Sequence, residues 1–395
     1  MLMLLAAGAC LQPAKSQVHN TGAKISIAAS GLFYIDGAYT NLSGSILNDG
    51  RLVVKGDWKN NDPDFTVFNK LSLGVVELSG NNQFISGSNK TEFPSLSLTG
   101  AGSKTLTVNT DLTGNLQLND SELKTESFML SILNGNPSAI SRTSGFVSTD
   151  KKGGQLVRII NSASSYLFPL GTSAGGAIFY RPLQVEMKDN VQNYFTASFI
   201  KKDPSAEGYS RMSKRPDVET VFDQYFFLLD QNGSSPLSIR FFQNSAQDGG
   251  YKQLVKWNKF NIWEKAAPST VTTGAFGDGL DQNLLYSSNE VITSLPFTLA
   301  SVTEEGPFTF FNAFSPDGDG KNDTWEIKNL DLYPNNDLSV FNRWGDEVFK
   351  TKNYSSAKAW DGGSLNPGTY YYILNVDVDG VKKSYKGFIT MVKKD

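Results

Sequence analysis

Leu96-Ser-Leu-Thr99, Leu106-Thr-Val108 and Leu112-Thr-Gly-Asn-Leu-Gln-Leu118 follow one another with short polar and glycine-containing links between them. Apolar and polar residues alternate, and a period of two sends successive side chains to opposite faces of an extended strand. The pattern extends towards the N-terminus through Arg51-Leu-Val-Val-Lys-Gly-Asp-Trp58 and Val75-Val-Glu-Leu-Ser79. Turn formers fill the gaps, as in Asn48-Asp-Gly50, Ser79-Gly-Asn-Asn82 and Asn134-Gly-Asn136. Short runs joined by tight turns, at an imperfect period of roughly 20 residues, suit the rungs of a β-solenoid. Each coil there buries its apolar row on its neighbours. An antiparallel sandwich over residues 17–150 is the alternative. Trp58, Phe65 and Phe68 offer faces that could stack on a surface polysaccharide, but core or end-cap positions are the preferred reading.

From residue 151 to 302 the strands lengthen and aromatic residues increase. Leu156-Val-Arg-Ile-Ile160, Tyr180-Arg-Pro-Leu-Gln-Val-Glu-Met187, Tyr194-Phe-Thr-Ala-Ser-Phe-Ile200 and Leu237-Ser-Ile-Arg-Phe-Phe242 are examples. About eight such strands read as a β-sandwich. The polar segment between Lys201 and Pro216 reads as a long solvated loop carrying Arg211, Lys214 and Arg215. Asp278 and Asp281 could hold a glycosidase acid and base in principle, although a Gly-rich turn more often solvates such a pair.

The chain has 395 residues, 39% of them hydrophobic and 12% aromatic, enough to build two or three cores. Only 19% are charged and the formal net charge is −3, so nucleic-acid binding has no electrostatic basis. One Cys and one His are present, Cys10 and His19. Beyond His19 the chain can build no His or Cys metal site, no Ser-His-Asp triad and no disulfide framework. Residues 1–16 read as a secretory signal, with an apolar run from Met1 to Leu11 and a cleavage site around Ala14-Lys15-Ser16. Lipidation at Cys10 is the rival reading.

Residues 307–395 carry further alternating runs, including Leu338-Ser-Val-Phe-Asn342, Tyr370-Tyr-Tyr-Ile-Leu-Asn-Val376 and a hairpin around Asp379-Gly380. About seven strands make a compact Ig-like sandwich, with Trp344 and Trp360 as core plugs. In Asp317-Gly-Asp-Gly-Lys-Asn-Asp323, the carboxylates of Asp317, Asp319 and Asp323 could ligate Ca²⁺. Lys321 occupies a ligand position of such a loop and cannot serve. An Asx-type turn is therefore preferred, in which carboxylates accept backbone N–H groups. No other cofactor is expected.

Five words occur in order here: Asn312-Ala-Phe-Ser-Pro-Asp-Gly-Asp-Gly-Lys-Asn-Asp-Thr-Trp325, Tyr333-Pro-Asn-Asn, Phe341-Asn-Arg-Trp-Gly345, Trp360-Asp-Gly362 and Pro367-Gly-Thr-Tyr-Tyr-Tyr372. They resemble the gliding-motility-associated C-terminal domain family of Bacteroidota, a sorting signal of type IX secretion in its type B form. The resemblance implies recognition by the type IX translocon and by an outer-membrane β-barrel partner. It carries partner recognition onto Asn312, Pro316, Asp317, Gly318, Asp319, Gly320, Asn322 and Asp323. It does the same for Tyr333, Pro334, Asn342, Arg343, Trp344, Gly345, Trp360, Asp361, Gly362, Gly368, Tyr370 and Tyr371. The expectation is an all-β, non-catalytic protein exported through the periplasm to the cell surface or beyond, associated with gliding motility, adhesion or surface structure. Rival expectations are an accessory subunit that stays on the machinery and a carbohydrate-active or carbohydrate-binding protein.

Overall fold

The computed structural model describes residues 16–64, 67–266, 270–288, 291–293, 295–302, 308–378 and 380–392. The expected signal up to residue 15, with Cys10 and Ala14, lies outside the described residues, as do Phe65 and Asp379.

Parallel coils of about six turns make up the N-terminal region, so the choice between solenoid and sandwich falls to the solenoid. Leu52, Val76, Leu96, Leu116 and Ile140 stand in register on successive coils, all buried. Tyr39, Trp58, Ile85 and Leu106 form a second inner ladder. Burying one such side chain stabilises by about 1.5–3 kcal/mol relative to leaving it in water. A lone coil cannot do this, and a stack can.

Some runs that alternation reads as one strand are two sides of a coil. Leu112–Leu118 divides into Thr110–Leu112 and Leu116–Gln117, and Arg51–Trp58 into Arg51–Val54 and Trp58–Asn60. Leu106-Thr-Val108 starts where the strand Ser103–Leu106 ends. The corners fall at glycines that touch the neighbouring coil: a Cβ on Gly56 would lie 2.3 Å from the Ala38 nitrogen. Alternation runs through such corners because the inside of a coil stays inside. Trp58 stacks between Tyr39 (4.7 Å) and Phe68 (5.5 Å) and donates Nε1–H to Thr91 Oγ1 at 2.9 Å. Both Trp58 and Phe68 are core residues and present no face to a polysaccharide.

A third ladder, Phe93, Leu112 and Ile132, ends on Arg158. This guanidinium is fully buried and donates to the carbonyls of Leu167 (2.6 Å), Asn136 and Pro137 (3.1 Å each), against the rings of Tyr166 and Phe168. Burial pulls its pKa down to about 10, which leaves it protonated at neutral pH. The strand that carries it, Gln155–Ile160, pairs in parallel with Met129–Ile132 and antiparallel with Asn193–Ile200. One ten-stranded sheet therefore runs from the coils into the central region.

A second sheet, in the order Ser165–Phe168, Leu183–Met187, Leu237–Gln243, Leu280–Ser288, Thr270–Gly277, faces it. Phe168 meets Phe195 at 5.4 Å, Phe227 meets Phe241 at 5.3 Å and Tyr286 meets Phe297 at 5.2 Å. The expected strand Tyr180–Met187 breaks at Arg181-Pro182: Phe179–Tyr180 pairs with Gly171–Thr172, and Leu183–Met187 joins the five-stranded second sheet. Pro182 offers no N–H to a ladder. Arg181 turns inward instead, and its Nε and Nη2 each lie 2.7 Å from the buried Asp248 carboxylate.

The C-terminal domain divides its seven strands into five and two. The larger sheet has the order Ala313–Phe314, Val381–Met391, Gly368–Val378, Asn336–Phe341, Glu347–Lys352. Thr309–Phe310 pairs with Ile327–Lys328 to make the smaller one. Among the described residues the sole α-helical segment is Ser245–Asp248.

Candidate functional site

The acidic pair and the basic loop residues singled out in the central region are engaged within the fold. Asp278 binds Arg142 at 2.8 Å, and Asp281 accepts the Ser245 amide at 2.7 Å and its hydroxyl at 2.5 Å. The basic residues of the 201–216 loop are split: Arg211 chelates Asp203, Lys214 donates to the carbonyls of Val218 and Glu219, and Arg215 reaches Glu264 at 3.5 Å. They form no joint patch.

In the C-terminal domain the sequence words prove to be plugs, clamps and turns. Trp325 and Trp360 form an isolated antiparallel bridge, and the Trp325 amide donates to the Trp360 carbonyl at 2.8 Å. Tyr354 closes this unit, because its hydroxyl donates to the Trp325 carbonyl and accepts the Trp360 amide at 2.9 Å. Burial pushes the Tyr354 phenol well above its ordinary value, so it remains a donor throughout the physiological range. No repeated word marks Tyr354 in the sequence, and only its place beside the tryptophans reveals its role. Asn336, at the end of Tyr333-Pro-Asn-Asn336, donates to the carbonyls of Tyr333 (2.9 Å) and Tyr354 (3.1 Å) and accepts the Tyr354 amide at 2.7 Å. Tyr333 is buried against Phe308 at 5.2 Å.

The word Phe341-Asn-Arg-Trp-Gly345 is a hairpin turn. Asn342 Oδ1 accepts the amides of Trp344 (2.9 Å) and Asp346 (3.0 Å), and Gly345 sits at φ +91°. Trp360 is the core plug expected of it, 4% exposed, but Trp344 is not: it is 76% exposed. Its place at the tip of the turn, beyond the last cross-strand pair, carries the indole off the sheet, where Arg343 lies over it at 4.9 Å. Asp361 accepts the Gly363 amide at 2.9 Å, and Gly362 packs where a Cβ would meet Met391 Sδ at 2.2 Å. Tyr370 is buried and donates to the Asn366 carbonyl at 2.6 Å, while its neighbour Tyr371 faces solvent.

The carboxylates of Asp317, Asp319 and Asp323 converge, with one oxygen of each within 4.8 Å of the others. Asp323 accepts the amides of Gly318 (2.6 Å) and Gly320 (2.8 Å), Asp319 accepts that of Lys321 (2.8 Å), and Asp317 that of Asp319 (3.2 Å). The Asp317 and Asp319 bonds are those of Asx-type turns, Asp323 closes the loop from its far end, and oxygens of the same groups could also meet a hard cation. Asn322 takes the left-handed conformation at φ 55°, and its carbonyl accepts the Ser315 amide at 2.8 Å, closing the loop that holds Pro316. Pairing of Asn312 O with the Thr390 amide at 2.9 Å ties this segment to the last strand.

A small β-domain of turns and aromatic plugs thus follows the larger β-body. Residues 308–391 match CHU_C, the type IX secretion signal domain. The match implies export by the type IX secretion system, interaction with its machinery and a destination at the cell surface or in the extracellular space. No curated protein and no solved structure matches the chain.

Proposed function

We propose that the chain is a non-catalytic surface or secreted protein with a gliding-associated, adhesive or structural role, brought out by its C-terminal signal domain with an outer-membrane β-barrel as partner. The observation that carries this reading is the sheet shared by solenoid and sandwich through Gln155–Ile160. A body joined by a common strand, rather than a linker, holds its outward faces at fixed spacing, as a structural or adhesive element requires. The engagement of Asp278 with Arg142 and of Asp281 with Ser245 favours this reading over a carbohydrate-active one.

A second reading, a subunit that stays on the machinery, draws support from Arg215. It donates to the Leu332 carbonyl at 3.2 Å and lies over the Tyr333 ring at 5.0 Å, holding the signal domain against the body. A tag at the exposed Ser205, followed by pull-down from detergent-solubilised outer membranes, separates the two. Recovery at fixed ratio with translocon or motility subunits supports the resident subunit. Recovery with a barrel partner alone, or free in the medium, supports cargo. Unchanged surface display after deletion from Asn312 onward would overturn both.

A further inference from the structure

Of the six tryptophans, five are no more than 9% exposed, and Trp344 is the exception at 76%. An indole in water forgoes the gain of burial, and here the fold holds it there. Asn342 clamps the turn around it: Oδ1 accepts the Trp344 and Asp346 amides, and the Asn342 amide donates to the Asp346 carbonyl at 2.9 Å. The segment around Pro367 is anchored as well, because the Tyr370 hydroxyl donates to the Asn366 carbonyl at 2.6 Å. Both segments line one open groove of about 330 Å³, Asn342, Arg343 and Trp344 from the first and Asn366, Pro367 and Tyr370 from the second. Two of the sequence words thus meet at one place, with their side chains already ordered. Pre-ordered groups lose less freedom when a partner arrives.

The Arg343 guanidinium lies over the indole at 4.9 Å, and among the described residues no carboxylate pairs with it. Of the side chains that line the groove it alone is charged. The acids of the adjoining segments are engaged elsewhere. Asp346 accepts from Asn342 Nδ2 at 2.9 Å, Glu347 pairs with Lys350 at 3.1 Å, and Asp361 accepts the Gly363 amide at 2.9 Å. Lys386, exposed on the last strand, does not line the groove and has the same sign as Arg343. The groove is therefore positive, with one cation at its centre. A guanidinium stacked on an aromatic face keeps its fork of N–H donors, which matches a carboxylate through two parallel bonds. Trp and Arg are also the side chains that most often dominate contacts between proteins. An anionic membrane presents many charges and is met by a cluster of Lys and Arg. One Arg beside one indole fits one acidic side chain.

We propose that the groove between Trp344 and Pro367 receives a single acidic residue of an export-machinery protein, its carboxylate on Arg343 and its chain against the indole. This rests on the reading of residues 308–391 as an export signal and names the chemistry of the partner. The buried words, around Trp325, Trp360 and Tyr333, then shape the domain, and Arg343 with Trp344 makes the contact. Gly368 begins the strand at the groove, and Asp377 opposite Lys382 lies nine residues on, about 30 Å away along the strand. Lys382 is therefore a cation of the same domain that the partner does not reach.

The test is export of the full chain in its own cells, read as the fraction cleaved by protease added outside. Arg343→Glu is expected to lower that fraction by roughly tenfold or more, since it sets like charges face to face. Arg343→Lys, which keeps the charge and loses the fork, falls between it and the natural chain. Lys382→Glu, the same change of charge far from the groove, leaves export unchanged. Deletion from Phe308 onward abolishes it. Normal export of the deletion variant would remove the export reading itself. Blocked deletion with normal export of Arg343→Glu would leave that reading standing and overturn the groove. Equal loss in Lys382→Glu would overturn it as well, as would binding of the purified chain to tetragalacturonate, or to vesicles of phosphatidylethanolamine and phosphatidylglycerol, that Arg343→Gln abolishes. Should Arg343→Glu melt early, a photocrosslinking residue at position 366 in living cells decides. An adduct with a protein segment that carries Asp or Glu within two residues of the link is expected. No protein adduct, or a segment without an acid, overturns the proposal. Exchange of that acid for Arg should restore export of Arg343→Glu, and failure to restore it would overturn the pairing.

Discussion

In the coils, a Cβ placed on Gly80 would lie 1.9 Å from the Lys55 carbonyl oxygen, and one on Gly114 1.9 Å from that of Pro94. In the signal domain a Cβ on Gly345 meets nothing within 4 Å, yet its φ of +91° lies where side chains are strained. Space selects glycine in the first case and backbone angle in the second. The solenoid stacks main chain on main chain, so glycine is where one coil touches the next. Gly318, Gly320 and Gly345 of the signal domain sit in exposed turns, so their substitutions are local, whereas Gly362 is packed against Met391. Gly114 therefore reports packing and Gly345 conformation, although the residue type is the same.

Replacement of Gly114 by Ala sharpens the contrast most. Its clash is with a backbone carbonyl that cannot rotate away, and a loss of about 3 kcal/mol or more in urea unfolding of the full chain is expected. Gly345→Ala costs about 1–2 kcal/mol, the left-handed penalty, confined to the signal domain. Equal losses at the two positions would break the distinction. Asp323→Ala removes two amide acceptors from an exposed turn and is expected to cost about 1 kcal/mol. Isothermal titration with millimolar Ca²⁺ belongs with it: absence of heat leaves the carboxylates to the turn, and a saturable heat lost in Asp323→Asn assigns the ion.

A smaller effect concerns pH. Lys104 points into the solenoid and donates Nζ–H to the carbonyls of Gly80 (2.6 Å) and Asn81 (2.8 Å), and burial lowers its pKa to about 8. An unfolded Lys titrates near 10.4, so between pH 8 and that value the unfolded chain binds more protons than the folded one. Stability from this group therefore rises with pH across that window. Urea midpoints at pH 7, 8 and 9 should rise for the natural chain relative to Lys104→Met, and an unchanged difference would refute the burial of a charged amine. The smallest effect is at Trp344, where replacement by Ala should move stability by less than about 0.5 kcal/mol, against about 3–5 kcal/mol for Trp360→Ala.

Period-two alternation made the all-β class legible, and short runs at regular spacing pointed to coils before any pairing was known. Corners were not legible. Inside stays inside around a turn, so Leu112 to Leu118 alternates without a break while the chain bends at Gly114. The break at Arg181-Pro182 was hidden by an apolar run that continues past it, and Arg181 finds Asp248 only through the fold. In the signal domain, ordered words marked the structural residues well, because turns and aromatic plugs demand particular side chains at particular places. They could not tell Trp344 from Trp360. Composition is the same at both, and only the sheet decides which indole sits inside.

The strand Gln155–Ile160 also sets an order of assembly. Coil pairs with coil at short sequence separation, as Thr91 does with Thr110, whereas the sandwich must bring Phe227 to Phe297 and Val218 to Val302. Closing a longer loop is the slower event. The solenoid can therefore grow coil by coil as the chain emerges, and its last strand then stands as a finished edge with unpaired amides and carbonyls. Asn193–Ile200 adds to that edge, and the rest of the sheet follows. In kinetic terms the first region is the template on which the second crystallises, so a coil variant such as Gly114→Ala would delay the folding of strands far from the substitution.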